Sequence, residues 1–212
     1  EMVCPVIFRR HQVREHQRLP RPVQEQDLKR FFAVIEDSAA CRWHKRDRAM
    51  FLLMLRCGLR IGEVASLRLA DLFLSEEYPR LVVRGKGSRE RGVYLSPQAK
   101  RCLQAYLAER PAVKSEFVFL SYLEAGLSTT SIHNRLLKYR QEASVQITAH
   151  RLRHSFANDM LNADAPITSI QKLMGHRWIE STQTYVMAND QQVCADYYAA
   201  CAKLEGWSHA AA

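Results

Sequence analysis

Residues Met50-Phe51-Leu52-Leu53-Met54-Leu55 form an unbroken apolar run, closed shortly afterwards by Gly58. A helix that is apolar all round cannot lie on a surface with one face in water; neighbours must enclose it. The run therefore predicts a helix in the middle of the fold, ended by a helix-stopping glycine. Its cover must come from elsewhere in the chain. Leu28, Phe31, Phe32 and Ile35 recur at helical spacing and predict one partner. Ile61, Val64, Ala65 and Leu67 predict a short helix directly after the glycine.

Between residues 71 and 95 the pattern changes. Leu72-Phe73-Leu74, Leu81-Val82-Val83 and Val93-Tyr94-Leu95 are short strand-like runs separated by turns. Gly85-Lys86-Gly87-Ser88 reads as a glycine-flanked hairpin tip. Helical signals then resume. Pro97 opens a helix to about Glu109, and Phe117-Val118-Phe119-Leu120 is a brief extended piece. Ser128 caps a helix to about Glu142, and Thr148 caps the next. Asp164 and Pro166 start another, with Ile167, Ile170, Leu173 and Met174 facing inward and Gly175 ending it. A final amphipathic helix covers roughly 190–204. The fold class is mainly α with a small three-stranded antiparallel β-sheet (α+β).

A chain of 212 residues suffices for one sizeable core. No apolar run reaches the ~20 residues of a membrane span, so no membrane partner is expected. Six cysteines, Cys4, Cys41, Cys57, Cys102, Cys194 and Cys201, include no C-x-x-C pair, which argues against a zinc ribbon. Reduced thiols in a cytoplasmic setting are expected, with Cys57 and Cys102 as small core residues. The net charge is +9, and the excess is mostly arginine, whose fork suits phosphate oxygens. A polyanionic partner follows. The chain starts Glu1-Met2-Val3-Cys4-Pro5, without an initiator Met or a signal-peptide pattern. The rigid break Arg18-Leu19-Pro20-Arg21-Pro22 predicts that residues 1–20 are the tail of a linker, and the missing initiator Met leads us to expect a piece of a longer protein.

Six polar residues suggest one phosphate-handling site: Arg60, Lys86, His150, Arg153, His176 and Tyr185. His150 and Arg153 are three apart near a helix start, on one face and close to its positive end. His176 follows Gly175, and Arg60 lies just after Gly58. Attack on a phosphodiester builds negative charge on nonbridging oxygens, which guanidinium forks match. A tyrosine hydroxyl can attack, and a lysine at a hairpin tip can protonate the leaving sugar oxygen. His150 and His154 also stand at a metal-binding spacing, but Arg151 follows His150 where a zinc protease has glutamate. No metal and no cofactor are expected. His154 and Trp178 read as packing residues, and Tyr139, Tyr197 and Tyr198 as parts of helix faces.

The segments Gly58-Leu59-Arg60-Ile61-Gly62-Glu63, Gly85-Lys86-Gly87, His150-Arg151-Leu152-Arg153-His154 and Gly175-His176, with Tyr185 nine residues on, resemble the tyrosine recombinase (phage integrase) family over roughly residues 20 to 195. The resemblance implies a C-terminal catalytic domain over residues 21–212. It implies a 3′-phosphotyrosine bond to DNA, resolved by a 5′-hydroxyl from another strand. By position, Arg60 and Arg153 resemble phosphate-clamping arginines and Lys86 a general acid. His150 and His176 resemble phosphate-contacting histidines, Tyr185 the nucleophile and Glu63 a supporting acidic residue. The implied partners are double-stranded DNA, further copies of the chain in a tetramer on DNA with the last helix docking in trans, and accessory DNA-bending proteins. The family's N-terminal core-binding domain has no counterpart here. Two alternatives remain at this point: relaxation of DNA by a type IB topoisomerase, and a DNA-binding module that has lost its chemistry.

Overall fold

The apolar run lies inside α2 (His44–Arg56) in the computed structural model, which describes residues 22–38, 42–85, 90–175 and 190–205. Every residue from Ala49 to Leu55 is at most 3% exposed. The helix before it is α1 (Glu25–Asp37), and the one after it is α3 (Ile61–Ser66). A 3-10 turn (Leu69–Asp71) leads into β1 (Leu72–Phe73), β2 (Arg80–Arg84) and β3 (Glu90–Tyr94). Then come α4 (Pro97–Glu109), α5 (Thr129–Glu142), α6 (Ala149–Asn162), α7 (Ile167–Met174) and α8 (Asp190–Glu205). The mainly helical class with one small sheet holds.

α2 is enclosed by α1, α3, α4 and α6. Phe31 of α1 meets Phe51 edge-on at 5.4 Å and Tyr139 of α5 at 6.4 Å. Truncating a buried leucine in such surroundings costs about 2–5 kcal/mol. The same helix carries a polar knot. Asp47 is fully buried and accepts hydrogen bonds from Arg46 Nε (2.9 Å), Arg135 Nη1 (2.6 Å) and Tyr139 Oη (2.9 Å). A carboxylate there is tolerable only because its lone pairs are satisfied.

The helix starts follow the expected chemistry. Ser96 Oγ accepts from Ala99 N with Pro97 as first helical residue, Ser128 Oγ accepts from Ser131 N, and Thr148 Oγ1 accepts from Arg151 N. Each such cap contributes about 1 kcal/mol. The sheet is an antiparallel meander in the order β1-β2-β3, with Leu72 opposite Leu81 and Leu81 opposite Val93. Leu81, Val83 and Val93 are buried, so one face lies on the core and the other meets solvent.

Two expectations need correcting. Ile167 does not face inward; it is 54% exposed at the first position of α7, and Ile170, Leu173 and Met174 carry the packing. Cys102 is only partly buried, with Arg48 Nη1 donating to its Sγ, so it is not a simple core residue.

A second apolar cluster joins Phe156 and Met160 of α6, Ile170, Leu173 and Met174 of α7, and Val193, Tyr197, Ala200 and Cys201 of α8. Tyr197 Oη donates to Arg56 O at 3.1 Å. Tyr198 Oη lies 3.2 Å from Pro79 O and 3.3 Å from Leu95 O. In this structure α8 thus packs on its own chain, against α6, α7 and the end of the sheet.

Candidate active site

The chain leaves α2 through Gly58, whose φ of +64° favours glycine. A Cβ there would sit 2.5 Å from Cδ1 of Phe156, so the turn also presses the end of α2 against α6. Two residues later Arg60 caps α3. Glu63 Oε2 accepts from the Arg60 backbone N–H at 2.8 Å, and Glu63 Oε1 accepts from Arg60 Nη1 at 3.0 Å. The Glu63 side chain is 5% exposed, whereas that of Arg60 is 46% exposed. The carboxylate therefore sits inside and holds a guanidinium that still reaches solvent.

Arg153 approaches the same place from α6. It is 5% exposed. Its Nη1 donates to Gly58 O and its Nη2 to Met174 O. It thereby satisfies two carbonyls where α2 and α7 end, and three of its five N–H donors remain. Burial pushes its pKa down to about 10, and repulsion from Arg60 adds to that. The group is still a cation at neutral pH, held where an anion would be welcome.

Arg91 of β3 completes the cluster. Its Nη1 and Nη2 donate to Glu63 Oε1 (2.6 Å) and Oε2 (2.9 Å), and its Nε donates to Leu173 O (3.0 Å). Burial alone would push the Glu63 carboxyl up. Hydrogen bonds from Arg91 and from the Arg60 backbone outweigh it, so the group stays below the ordinary carboxylate range. Two guanidinium groups thus grip one carboxylate, and Arg153 lies near enough to feel the charges of both Arg60 and Glu63, so the cluster carries a net charge of about +2. Such a pocket can neutralise the charge that builds on a phosphoryl group.

Sequence reasoning missed Arg91, although a signal was there. Arg91 and Val93 alternate along β3, in step with Leu95 just past its end, and Val93 and Leu95 are buried. An arginine in the inward register of a half-buried strand needs a partner.

The structure brings together Arg60, Glu63 and Arg153. His150 and Arg153 stand three residues apart on α6, the first toward solvent and the second buried. His150 is exposed and lies nearly parallel to His154, ring centroids 6.4 Å apart, while Arg153 turns inward. Burial, with a smaller contribution from the neighbouring His150, lowers the pKa of His154. Lys86, His176 and Tyr185 lie outside the described residues, as does Trp178. The described chain does fix where two of these segments enter. Arg84 and Glu90 pair where β2 and β3 flank the segment that contains Lys86. Gly175, at φ +60°, ends α7 just before His176. Among the described residues no group of three or more His, Cys, Asp or Glu is placed to hold a metal, and no helix is long and apolar enough to cross a membrane.

Residues 21–192 match the phage integrase family. A tyrosine recombinase XerC from Pelotomaculum thermopropionicum is 38% identical over 187 residues, which is 83% of this chain and 60% of that relative. The chain therefore spans somewhat over half the length of that relative. The crystal structure of a XerA recombinase superposes with a TM-score of 0.66 at 25% identity, covering 84% of this chain and 64% of the other. A XerH site-specific recombinase bound to its difH substrate also reaches a TM-score of 0.66, at 22% identity, over 82% of this chain and 52% of that one. At that identity the likeness speaks for the fold alone.

Proposed function

Since the chain belongs to the phage integrase family, we propose that it is the catalytic part of a site-specific DNA recombinase, which cuts and rejoins DNA through a covalent 3′-phosphotyrosine. The observation that supports this reading is the meeting of Arg60, held by the buried carboxylate of Glu63, with the buried Arg153 at the turn after α2, where Arg153 Nη1 donates to Gly58 O. In the proposed reaction these guanidinium groups hold the nonbridging oxygens of the scissile phosphate. The Tyr185 oxygen attacks phosphorus, the P–O bond to the 5′ oxygen breaks, and Lys86 gives that oxygen its proton. His150 and His176 contact the phosphate and move protons. Rejoining runs the same steps backwards, with a 5′-hydroxyl as nucleophile. One phosphodiester is exchanged for another, so no external energy source is needed.

The reaction is proposed to be independent of metal, because fixed cationic side chains supply the charge neutralisation a divalent ion would otherwise give. The partners are double-stranded DNA and further copies of the chain in a tetramer on DNA, together with DNA-bending proteins. Residues 1–20 are proposed to connect to a DNA-embracing N-terminal domain.

The test is to incubate the protein with nicked duplexes in chelator and look for a covalent protein–DNA band. An adduct that survives chelation, arises at a defined sequence and vanishes in Tyr185→Phe supports the reading. An adduct that persists in Tyr185→Phe refutes it. Relaxation of any supercoiled plasmid without sequence preference would assign the chain to topoisomerase-like chemistry instead.

A further inference from the structure

We infer that Arg91 is a positioning residue for the reaction, which sets the reach of Arg60 by fixing the carboxylate of Glu63; this rests on the phosphodiester reading of the site. All three nitrogens of the Arg91 guanidinium are committed to protein acceptors. Nη1 and Nη2 grip the two oxygens of Glu63 at 2.6 and 2.9 Å, and Nε caps the last turn of α7 through Leu173 O at 3.0 Å. Its side chain is 16% exposed, and the Cβ that an alanine at Gly175 would carry lies 3.0 Å from its Cδ. Three of its five N–H donors are thus spent on the protein, and the group acts on the site through Glu63.

Its effect passes through Glu63. The same two oxygens that accept from Arg91 also accept from the backbone and side chain of Arg60. A carboxylate gripped bidentately cannot rotate about its last torsion, so Arg60, nearly half exposed, extends from a fixed anchor. Without Arg91 the buried carboxylate would turn to satisfy itself, and Arg60 would lose its direction. Arg91 also links three routes into the site. It stands on β3 at the base of the Lys86 hairpin, it holds α3, and it caps α7 just ahead of His176. One side chain thus ties together β3, α3 and the end of α7.

A mere staple between β3 and α3 would predict lost stability and nothing more. The full 212-residue chain, carrying Arg91→Met or Arg91→Lys, distinguishes the two. The first readout is the Nε–Hε resonance of Arg60, without DNA. It should move toward the free-arginine position in Arg91→Met and part of the way in Arg91→Lys. The second is the single-turnover rate of adduct formation on a nicked duplex of trapped sequence, per folded molecule. It should fall on the order of 10²-fold in Arg91→Met, with the half-saturating DNA concentration little changed and the lysine variant in between. An unmoved Arg60 resonance, or an unchanged rate per folded molecule, overturns the inference. If the unsubstituted chain forms no adduct, the phosphodiester reading has failed, and the resonance still decides whether Arg91 sets Arg60. If Arg91→Met does not fold, Arg91→Lys decides both readouts.

Discussion

Glu63 carries a negative charge into a space shared with Arg60, Arg91 and Arg153, and its titration has a definite sign. Burial raises its pKa, but the hydrogen bonds from Arg91 and Arg60 more than reverse this, so the folded value lies below the ordinary 4.5. A carboxylate of that kind binds its proton less readily in the folded than in the unfolded chain. Its stabilisation is complete above about pH 4.5 and is lost as pH falls through the depressed folded value. Thermal unfolding followed from pH 7 to pH 3 should show that acid loss, and Glu63→Gln should flatten it. An identical pH profile for the variant would contradict the geometry. Arg153 is the opposite case, a cation held at a cost. Arg153→Met would leave Gly58 O and Met174 O without their donor, at about 1–3 kcal/mol for each buried acceptor. Chemical denaturation should register a loss of that size; an unchanged midpoint would mean that Arg153 does not brace the ends of α2 and α7.

Elements meet at the site because their ends are shaped for it. Gly58 combines a left-handed φ with a neighbour, Phe156, that leaves no room for a side chain. Gly58→Ala is therefore expected to destabilise the fold by at least ~1–3 kcal/mol and to shift the carbonyl that receives Arg153. A urea midpoint equal to that of the unsubstituted chain would show that the turn is not so constrained. At the other end of the chain, Tyr197 is wholly buried and faces Tyr94 at 5.8 Å and Phe156 at 6.5 Å. Tyr197→Ala should cost about 3–5 kcal/mol, as for a large aromatic core residue, and should open α8 to protease before the rest. Simultaneous digestion of α2 and α8 would contradict that order.

The elements themselves were largely legible in sequence. The apolar girth of α2, the caps at Ser96, Ser128 and Thr148, and the glycine stops at 58 and 175 are local signals, and the structure shows each. What escaped was non-local. The knot at Asp47 depends on Arg135 and Tyr139, far away in the chain. Ile167 has the right period but sits at a helix end that no element among the described residues covers. Arg60 and Arg153 were readable through the family pattern. Arg91 was not, because its partner lies on another element and only strand register betrays it.

At the largest scale, the chain has a main core around α2 and a second cluster under α8, and Arg153 bonds to Gly58 O of the first region and Met174 O of the second. Phe156 belongs to the second cluster and also presses on Gly58, so α6 joins the two while presenting Arg153 to the pocket. The overall charge of +9 suits a polyanion and gives binding that weakens steeply with salt. α8 closes the second cluster within one chain, and the proposed assembly on DNA would give it a further role. Removing the residues after Asn189 should shrink the complex on DNA more than it weakens DNA binding, as gel filtration and gel shift would report; unchanged complex size would count against a part for α8 in assembly. The bond between Tyr185 and DNA can be found by mass spectrometry. The adduct trapped on a nicked duplex, digested with protease and nuclease, should yield a nucleotide-bearing peptide with the phosphate on Tyr185. A nucleotide attached to any other residue, or no covalent peptide when the unsubstituted chain has cut its DNA, would contradict the account.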